Sequence, residues 1–106
     1  MEIGTLDAMI AAASEALAGD NVVTAGIVVS LATRWPDTPA LAVAFALTTA
    51  AADLELLLDG QDRIAAAAYR TAALIAADTL AIEAMGQLPA RAHHLLPVWR
   101  RSQARP

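Results

Sequence analysis

Four charged side chains interrupt the apolar middle of the chain and are the first candidates for a polar site. Asp53 and Glu55 lie in one alanine- and leucine-rich stretch, and Arg70 and Asp78 lie in the next. If the two stretches form antiparallel helices, Asp53 and Arg70 come to comparable heights. The spacing predicts a buried or half-buried ion pair between Asp53 or Glu55 and Arg70, which would fix the register of the helices. The alternatives are that these side chains lie on a solvated face, or that all four residues line a ligand pocket inside the helices.

A metal site is not expected, although His93 and His94 are adjacent. Neighbouring residues point about 100° apart on a helix and to opposite faces of a strand, so a histidine pair alone rarely chelates an ion. No histidine or glutamate stands three or four positions away to complete a site. The chain also has no cysteine, no glycine-rich phosphate loop and only three serines. We therefore expect no metal, no cofactor and no catalytic residues, and we lean towards a protein that is not an enzyme.

The C-terminal segment, residues 87–106, differs in charge from the rest of the chain. It contains four arginines, two histidines and no acid, for a formal charge of +4, whereas residues 1–86 carry −8. Aliphatic, aromatic and cationic side chains follow one another there. Among them are tryptophan and arginine, two residue types that are enriched in binding hot spots. The candidate partner-binding residues combine this segment with two aromatic residues of the body: Trp35, Tyr69, Leu95, Leu96, Trp99 and Arg100.

Three roles for this segment stay open. It docks on a partner protein or folds back on the acidic body, or it is a solvated terminus, or its arginines contact nucleic acid or an anionic membrane surface. We do not expect a membrane anchor, because the prolines keep any amphipathic helix there short. Nucleic-acid binding by four arginines on an acidic protein is expected to be weak, because affinity grows with the number of phosphates neutralised.

Length and composition narrow the class of protein. A chain of 106 residues fits one domain, which we divide into a helical body of residues 1–86 and a basic tail of residues 87–106. Its 58% apolar and 17% charged residues exclude a disordered chain, and the absence of cysteine excludes a disulfide scaffold. The start of the chain does not resemble a signal peptide, and no charge-free apolar run reaches about 18 residues. We expect a soluble, cytoplasmic protein without a transmembrane segment.

Two helical segments are indicated in the first third of the chain. Residues 5–18 carry one apolar stripe at helical spacing, with Thr5 as the expected N-cap and Gly19 as the end. Residues 22–34 follow, with Asp20 or Asn21 as the cap. The β-branched residues of this second segment favour a strand, whereas a four-residue apolar period and the lack of a neighbouring strand favour a helix. We predict a helix there and leave the strand as the alternative.

Two longer helices are expected next. Thr38 and Pro39 should start a helix that runs to about Leu58, and its apolar residues form two stripes. One stripe contains Leu41, Phe45, Thr48, Ala52 and Leu56, and the other contains Val43, Leu47, Ala50, Leu54 and Leu57. After a turn at residues 59–62, Asp62 should cap a helix over residues 63–85 that Gly86 closes.

The sequence thus predicts an all-α domain: an up-and-down bundle of about four helices, or two stacked helical hairpins, with a basic C-terminal tail. The 28 alanines and the scarcity of charge leave apolar helix faces that need covering. We therefore expect a small helical interaction subunit or adaptor that forms a homo-oligomer or joins a protein complex. The alternatives are a ligand-binding protein or enzyme with an internal pocket, and a regulator that uses its arginines on nucleic acid.

Overall fold

Five α-helices and one short 3₁₀ helix make up the fold. The computed structural model describes residues 1–57 and 60–104, and within these residues it contains no strand. The elements are α1 (Ile3–Leu17), α2 (Thr24–Arg34), α3 (Ala40–Leu57), α4 (Asp62–Ala84), the 3₁₀ helix (Ala92–Leu95) and α5 (Leu96–Ala104). The prediction of an all-α protein is confirmed, and residues 22–34 contain a helix rather than a strand. The C-terminal segment adds helices that the sequence did not predict.

The first four helices begin and end within two residues of their predicted limits, but the predicted caps of α1, α2 and α4 are wrong. The residues before α1, α2 and α4 are Glu2, Val23 and Gln61, and none of them makes a side-chain cap. Thr38 uses its hydroxyl to donate a hydrogen bond to the Trp35 carbonyl at 2.8 Å. Packing of the apolar faces, not side-chain capping, therefore decides where these helices start. The predicted end of α3 at Leu58 and the turn residue Asp59 lie outside the described residues.

The helices form two layers, with α3 in the middle of the first. Helix α3 packs against α1 on one flank and α4 on the other, while α2, the 3₁₀ helix and α5 pack together as the second layer. The molecule is accordingly flat, with extents of 43 × 36 × 20 Å. Ser14 of α1 and Ala18, the residue after α1, border the same hollow as Leu54 and Leu57 of α3, so the two helices run parallel. Helices α1 and α3 are not consecutive in the sequence, and they lie side by side because α2 crosses to the other layer between them.

The C-terminal segment is part of the body and not a separate tail. Ala92, Leu95 and Trp99 are buried in the same core as the first four helices. The backbone fixes the segment as well, since the Ala40 N–H donates to the Ala90 carbonyl at 3.0 Å and the Ala92 N–H donates to the Thr38 carbonyl at 2.7 Å. The division of the chain at residue 86 therefore does not separate two structural units, because one apolar core spans both sides of it.

Two of the helices are long and apolar enough to cross a membrane. In α3 the most apolar 18-residue window is half buried inside the protein, and in α4 one third of the window is buried. Central helices of soluble proteins pass the same test, so this finding fits a soluble protein and a membrane protein equally. The cytoplasmic location stays a prediction.

Candidate interaction surface

One side of α3 is apolar and uncovered. We call Leu41, Phe45, Thr48, Ala52 and Leu56 the α3 outer face; they recur every three or four residues and share one side of the helix. The exposed fractions of Leu41, Phe45 and Leu56 are 53%, 51% and 84%. A row of large apolar side chains in contact with water is typical of a surface that binds another molecule.

The other sides of α3 explain why this face alone is left open. Val43, Leu47, Ala50 and Leu54 lie on the opposite side and are buried. Alanines buried on the flanks let α1 and α4 approach closely. With the second layer behind it, α3 is covered on three sides. The two apolar stripes seen in the sequence separate into an exposed stripe and a stripe that is buried except at its end, where Leu57 is 79% exposed.

Helix α4 extends the apolar surface beyond α3. Tyr69, Ala73, Ala76 and Leu80 follow one another at spacings of four, three and four residues, so they form a stripe along one side of α4. Tyr69 donates a hydrogen bond to Glu55 of α3, which places this stripe on the side of α4 that adjoins α3. Leu80 is 71% exposed and Ala73 is also exposed. The α3 outer face therefore continues onto α4.

The contact between Tyr69 and Glu55 replaces the ion pair that the sequence predicted. The hydroxyl of Tyr69 donates to Oε1 of Glu55, and this hydrogen bond, together with partial desolvation and the carboxylate charge, raises the pKa of Tyr69. Arg70 is exposed, as are Asp53 and Glu55, so these side chains lie on the solvated face and the expected buried pair is wrong. The reason is helical phase: Tyr69 is the residue that adjoins α3, and Arg70 points about 100° away from it.

The four polar candidates do not converge on one pocket. Asp53 borders an open hollow of about 300 Å³ between α1 and α3, whereas Glu55 lies on the α4 side of α3. Asp78 accepts a hydrogen bond from α5 in the second layer. Because these groups lie on different sides of the helices, the prediction that Asp53, Glu55, Arg70 and Asp78 line a common pocket is wrong.

The residues proposed to bind a partner have different surroundings. Leu95 is fully buried and Trp99 is 7% exposed. The indole Nε1 of Trp99 donates to Asp78 Oδ2 at 3.1 Å, so Trp99 anchors α5 to α4. Leu95 and Trp99 are therefore used inside the chain and are not free for a partner, which corrects that part of the prediction.

The other candidates in this group are accessible to different degrees. Leu96 and Tyr69 are half-buried, and Arg100 is exposed. Trp35 is half-buried in the turn before α3, with the Arg34 guanidinium 4.4 Å from the centre of its ring. This cation–π contact covers part of the indole and fixes Arg34 at the end of the bundle.

His93 and His94 lie in the 3₁₀ helix, and His94 makes a hydrogen bond to the backbone there. Nδ1 of His94 accepts a hydrogen bond from the backbone N–H of Arg91 at 2.9 Å, at the start of the 3₁₀ helix. Partial burial, with the nearby His93 and Arg91, lowers the pKa of His94. Within residues 1–57 and 60–104, no three histidine or acidic side chains are grouped closely enough to hold a metal ion.

Sequence reasoning did not include the α3 outer face among the site residues. The signal for it in the sequence is the stripe that contains Leu41, Phe45 and Leu56. Comparison of the chain with protein-family models, with characterised proteins and with solved structures finds no match.

Proposed function

We propose that this protein is a small, non-catalytic helical subunit or adaptor that self-associates through the α3 outer face. The observation that carries the proposal is the exposure of Leu41, Phe45 and Leu56 in one row along a helix whose other sides pack against α1, α4 and the second layer. Covering the exposed part of such a side chain contributes about 1 kcal/mol. A surface of this kind is stable in water chiefly as an interface.

The dimensions of the molecule support a second copy of the chain as the partner. The two longer dimensions of the molecule, 43 and 36 Å, leave room on its broad side for the roughly 800 Å² that each partner of a standard interface contributes. The middle of this side is the α3 outer face, continued by Ala73 and Leu80 of α4. An apolar centre with charged residues kept to the margins is the usual composition of a homodimer interface.

The test is the molar mass in solution, measured by light scattering at several protein concentrations. The unmodified chain should be a dimer, and Phe45→Glu should be a monomer because it places a charge at the centre of the interface. Leu74→Glu is the matched control: Leu74 has the same 51% exposure, but on α4 it lies about 140° around the helix from Tyr69. That variant should remain a dimer.

The same samples separate this proposal from its competitors. A monomeric unmodified chain at about 100 μM would overturn self-association, since apolar interfaces of this size ordinarily hold at that concentration. Sedimentation with phosphatidylcholine vesicles would then show whether a bilayer covers the apolar face, as the apolar character of α3 and α4 allows. The internal-pocket and nucleic-acid alternatives stay predictions that no contact in the described residues favours.

A further inference from the structure

We infer that the two copies pair α3 against α3 in antiparallel orientation, with a two-fold axis between Thr48 and Thr49. The inference rests on the proposed self-association and adds the geometry of the interface. It follows from the order of large and small side chains along the α3 outer face, from the distribution of charge at the two ends of α3, and from the dimensions of the broad side.

The large and small residues of the α3 outer face are placed almost symmetrically about the midpoint of Thr48 and Thr49. Reversal about the midpoint of Thr48 and Thr49 brings Leu41 of one copy to the level of Leu56 of the other, and Phe45 to the level of Ala52. A two-fold interface must be complementary to itself, because each surface patch meets its own copy. Here the large phenylalanine meets a small alanine, leucine meets leucine, and the small threonines meet at the axis, so the helices can approach closely.

A parallel pair lacks this complementarity. It would place Phe45 against Phe45 of the other copy and Ala52 against Ala52. Two large side chains would then meet at one level of the helices and two small ones at another. The larger side chains would hold the helices apart at one level, and the alanines would stay uncovered at another. The antiparallel arrangement fills both levels.

Charge favours the same orientation. The C-terminal end of α3 is acidic, with Asp53 and Glu55 on α3 and Asp62 beside Arg63 at the start of α4. The N-terminal end of α3 instead borders a cleft lined by Arg34, Arg91 and Asp37, among others. An antiparallel pair keeps the two acidic C-terminal ends of α3 apart and opposes the helix dipoles. A parallel pair would bring two acidic ends together.

Disulfide formation between introduced cysteines tests the geometry directly, because the natural chain has no cysteine. Thr48→Cys lies beside the proposed axis, where the two Cα atoms come within disulfide reach if the helix axes are about 8 Å apart. Under mild oxidation this variant should form a covalent dimer. Thr33→Cys is the matched control, since Thr33 and Thr48 are both exposed helical threonines whose hydroxyls donate to the carbonyl four residues earlier.

We expect Thr48→Cys to cross-link at least about tenfold faster than Thr33→Cys, because the dimer raises the local concentration of the thiols. Leu41→Cys alone should not cross-link, since its copies are roughly 22 Å apart along the paired helices. A mixture of Leu41→Cys and Leu56→Cys should give the mixed dimer.

Three outcomes distinguish the antiparallel geometry from self-association itself. A dimer in which Leu41→Cys cross-links with itself would show parallel pairing, and a dimer in which Thr48→Cys reacts no faster than Thr33→Cys would place the interface elsewhere. Either result overturns this inference and leaves self-association intact. A monomeric unmodified chain overturns both.

Discussion

A hydrogen bond between Trp99 and Asp78 connects the basic C-terminal segment to the acidic body of the protein. The indole Nε1 of Trp99, in the acid-free C-terminal segment, donates to Oδ2 of Asp78, in the acidic body, at 3.1 Å. Trp99 is at the same time 7% exposed and part of the main core. The contact therefore combines apolar burial with a hydrogen bond to a charged group, and it holds α5 in the second layer.

Truncation of Trp99 should be among the most destabilising changes in the chain. We expect Trp99→Ala to lower the free energy of unfolding by about 3–5 kcal/mol, because it removes a large buried side chain. Asp78→Ala should cost about 1–3 kcal/mol, because it leaves the indole N–H without its partner. Urea denaturation followed by circular dichroism measures both values. Val98→Ala, at a 44% exposed neighbour on α5, is the control and should change the midpoint little.

The hydrogen bond between Thr24 and Thr71 should behave as a coupled pair. Their Oγ1 atoms are 2.8 Å apart and join α2 to α4, with Thr71 buried. Thr71→Val should lower stability by about 1–2 kcal/mol, since the Thr24 hydroxyl then lacks its partner. Changing both residues to valine should cost less than the sum of the two single changes. Strict additivity in a double-mutant cycle by urea denaturation would show that the hydroxyls contribute independently.

Stability should decrease as the pH falls below about 6.5, the usual pKa of histidine in an unfolded chain. The pKa of His94 is lowered in the folded protein, so the folded state favours the neutral ring that accepts the Arg91 N–H. The unfolded chain takes up a proton first, and this stabilisation is lost as the pH falls through the folded pKa. Urea midpoints between pH 5 and 8 should show the decrease. His94→Asn should flatten it, whereas His93→Asn should leave it largely in place.

Two glycines should respond to alanine in opposite directions. Gly86 follows α4 with φ of +106°, and its N–H donates to the Glu83 carbonyl at 3.0 Å. Gly86→Ala should cost about 1–2 kcal/mol, because a side chain disfavours this backbone conformation. Gly4 lies in α1 with open space around it, and Gly4→Ala should raise stability by about 0.5–1 kcal/mol. Thermal unfolding distinguishes the two, and equal effects would contradict the conformational explanation.

Self-association predicts that thermal stability depends on protein concentration. If the dimer is the folded form, the unfolding midpoint should rise between about 5 and 500 μM, because mass action favours the associated state. In the Phe45→Glu variant the midpoint should no longer depend on concentration. A constant midpoint for the unmodified chain over this range would count against a dimer that is linked to folding.

The sequence indicated the helices well and their ends less well. Apolar periodicity located four helices, and Gly86 closes α4 as its position predicted. Thr5 and Asp62 looked like caps, yet each lies inside a helix. A cap contributes only about 1 kcal/mol, which is less than the burial of one further apolar residue, so tertiary packing overrides it.

The pairing of polar groups could not be predicted from spacing alone. Asp53 and Arg70 come to similar heights in a hairpin, but rotation of α4 by one residue's phase presents Tyr69 to Glu55 instead. The docking of Trp99 on Asp78 joins residues 21 positions apart across a turn, and the sequence left open whether the C-terminal segment docks at all.

By itself, the sequence determined the all-helical class, the positions of the first four helices and the two apolar stripes of α3. It could do so because these properties depend on the composition and the apolar period of each segment. The tertiary structure decided which stripe is covered. Helices α1 and α4 flank α3, and the second layer lies behind it, so Val43 and Leu47 are buried while Leu41 and Phe45 remain exposed. The physical reason is that burial depends on where distant segments pack, and local periodicity carries no information about which neighbour arrives on which side.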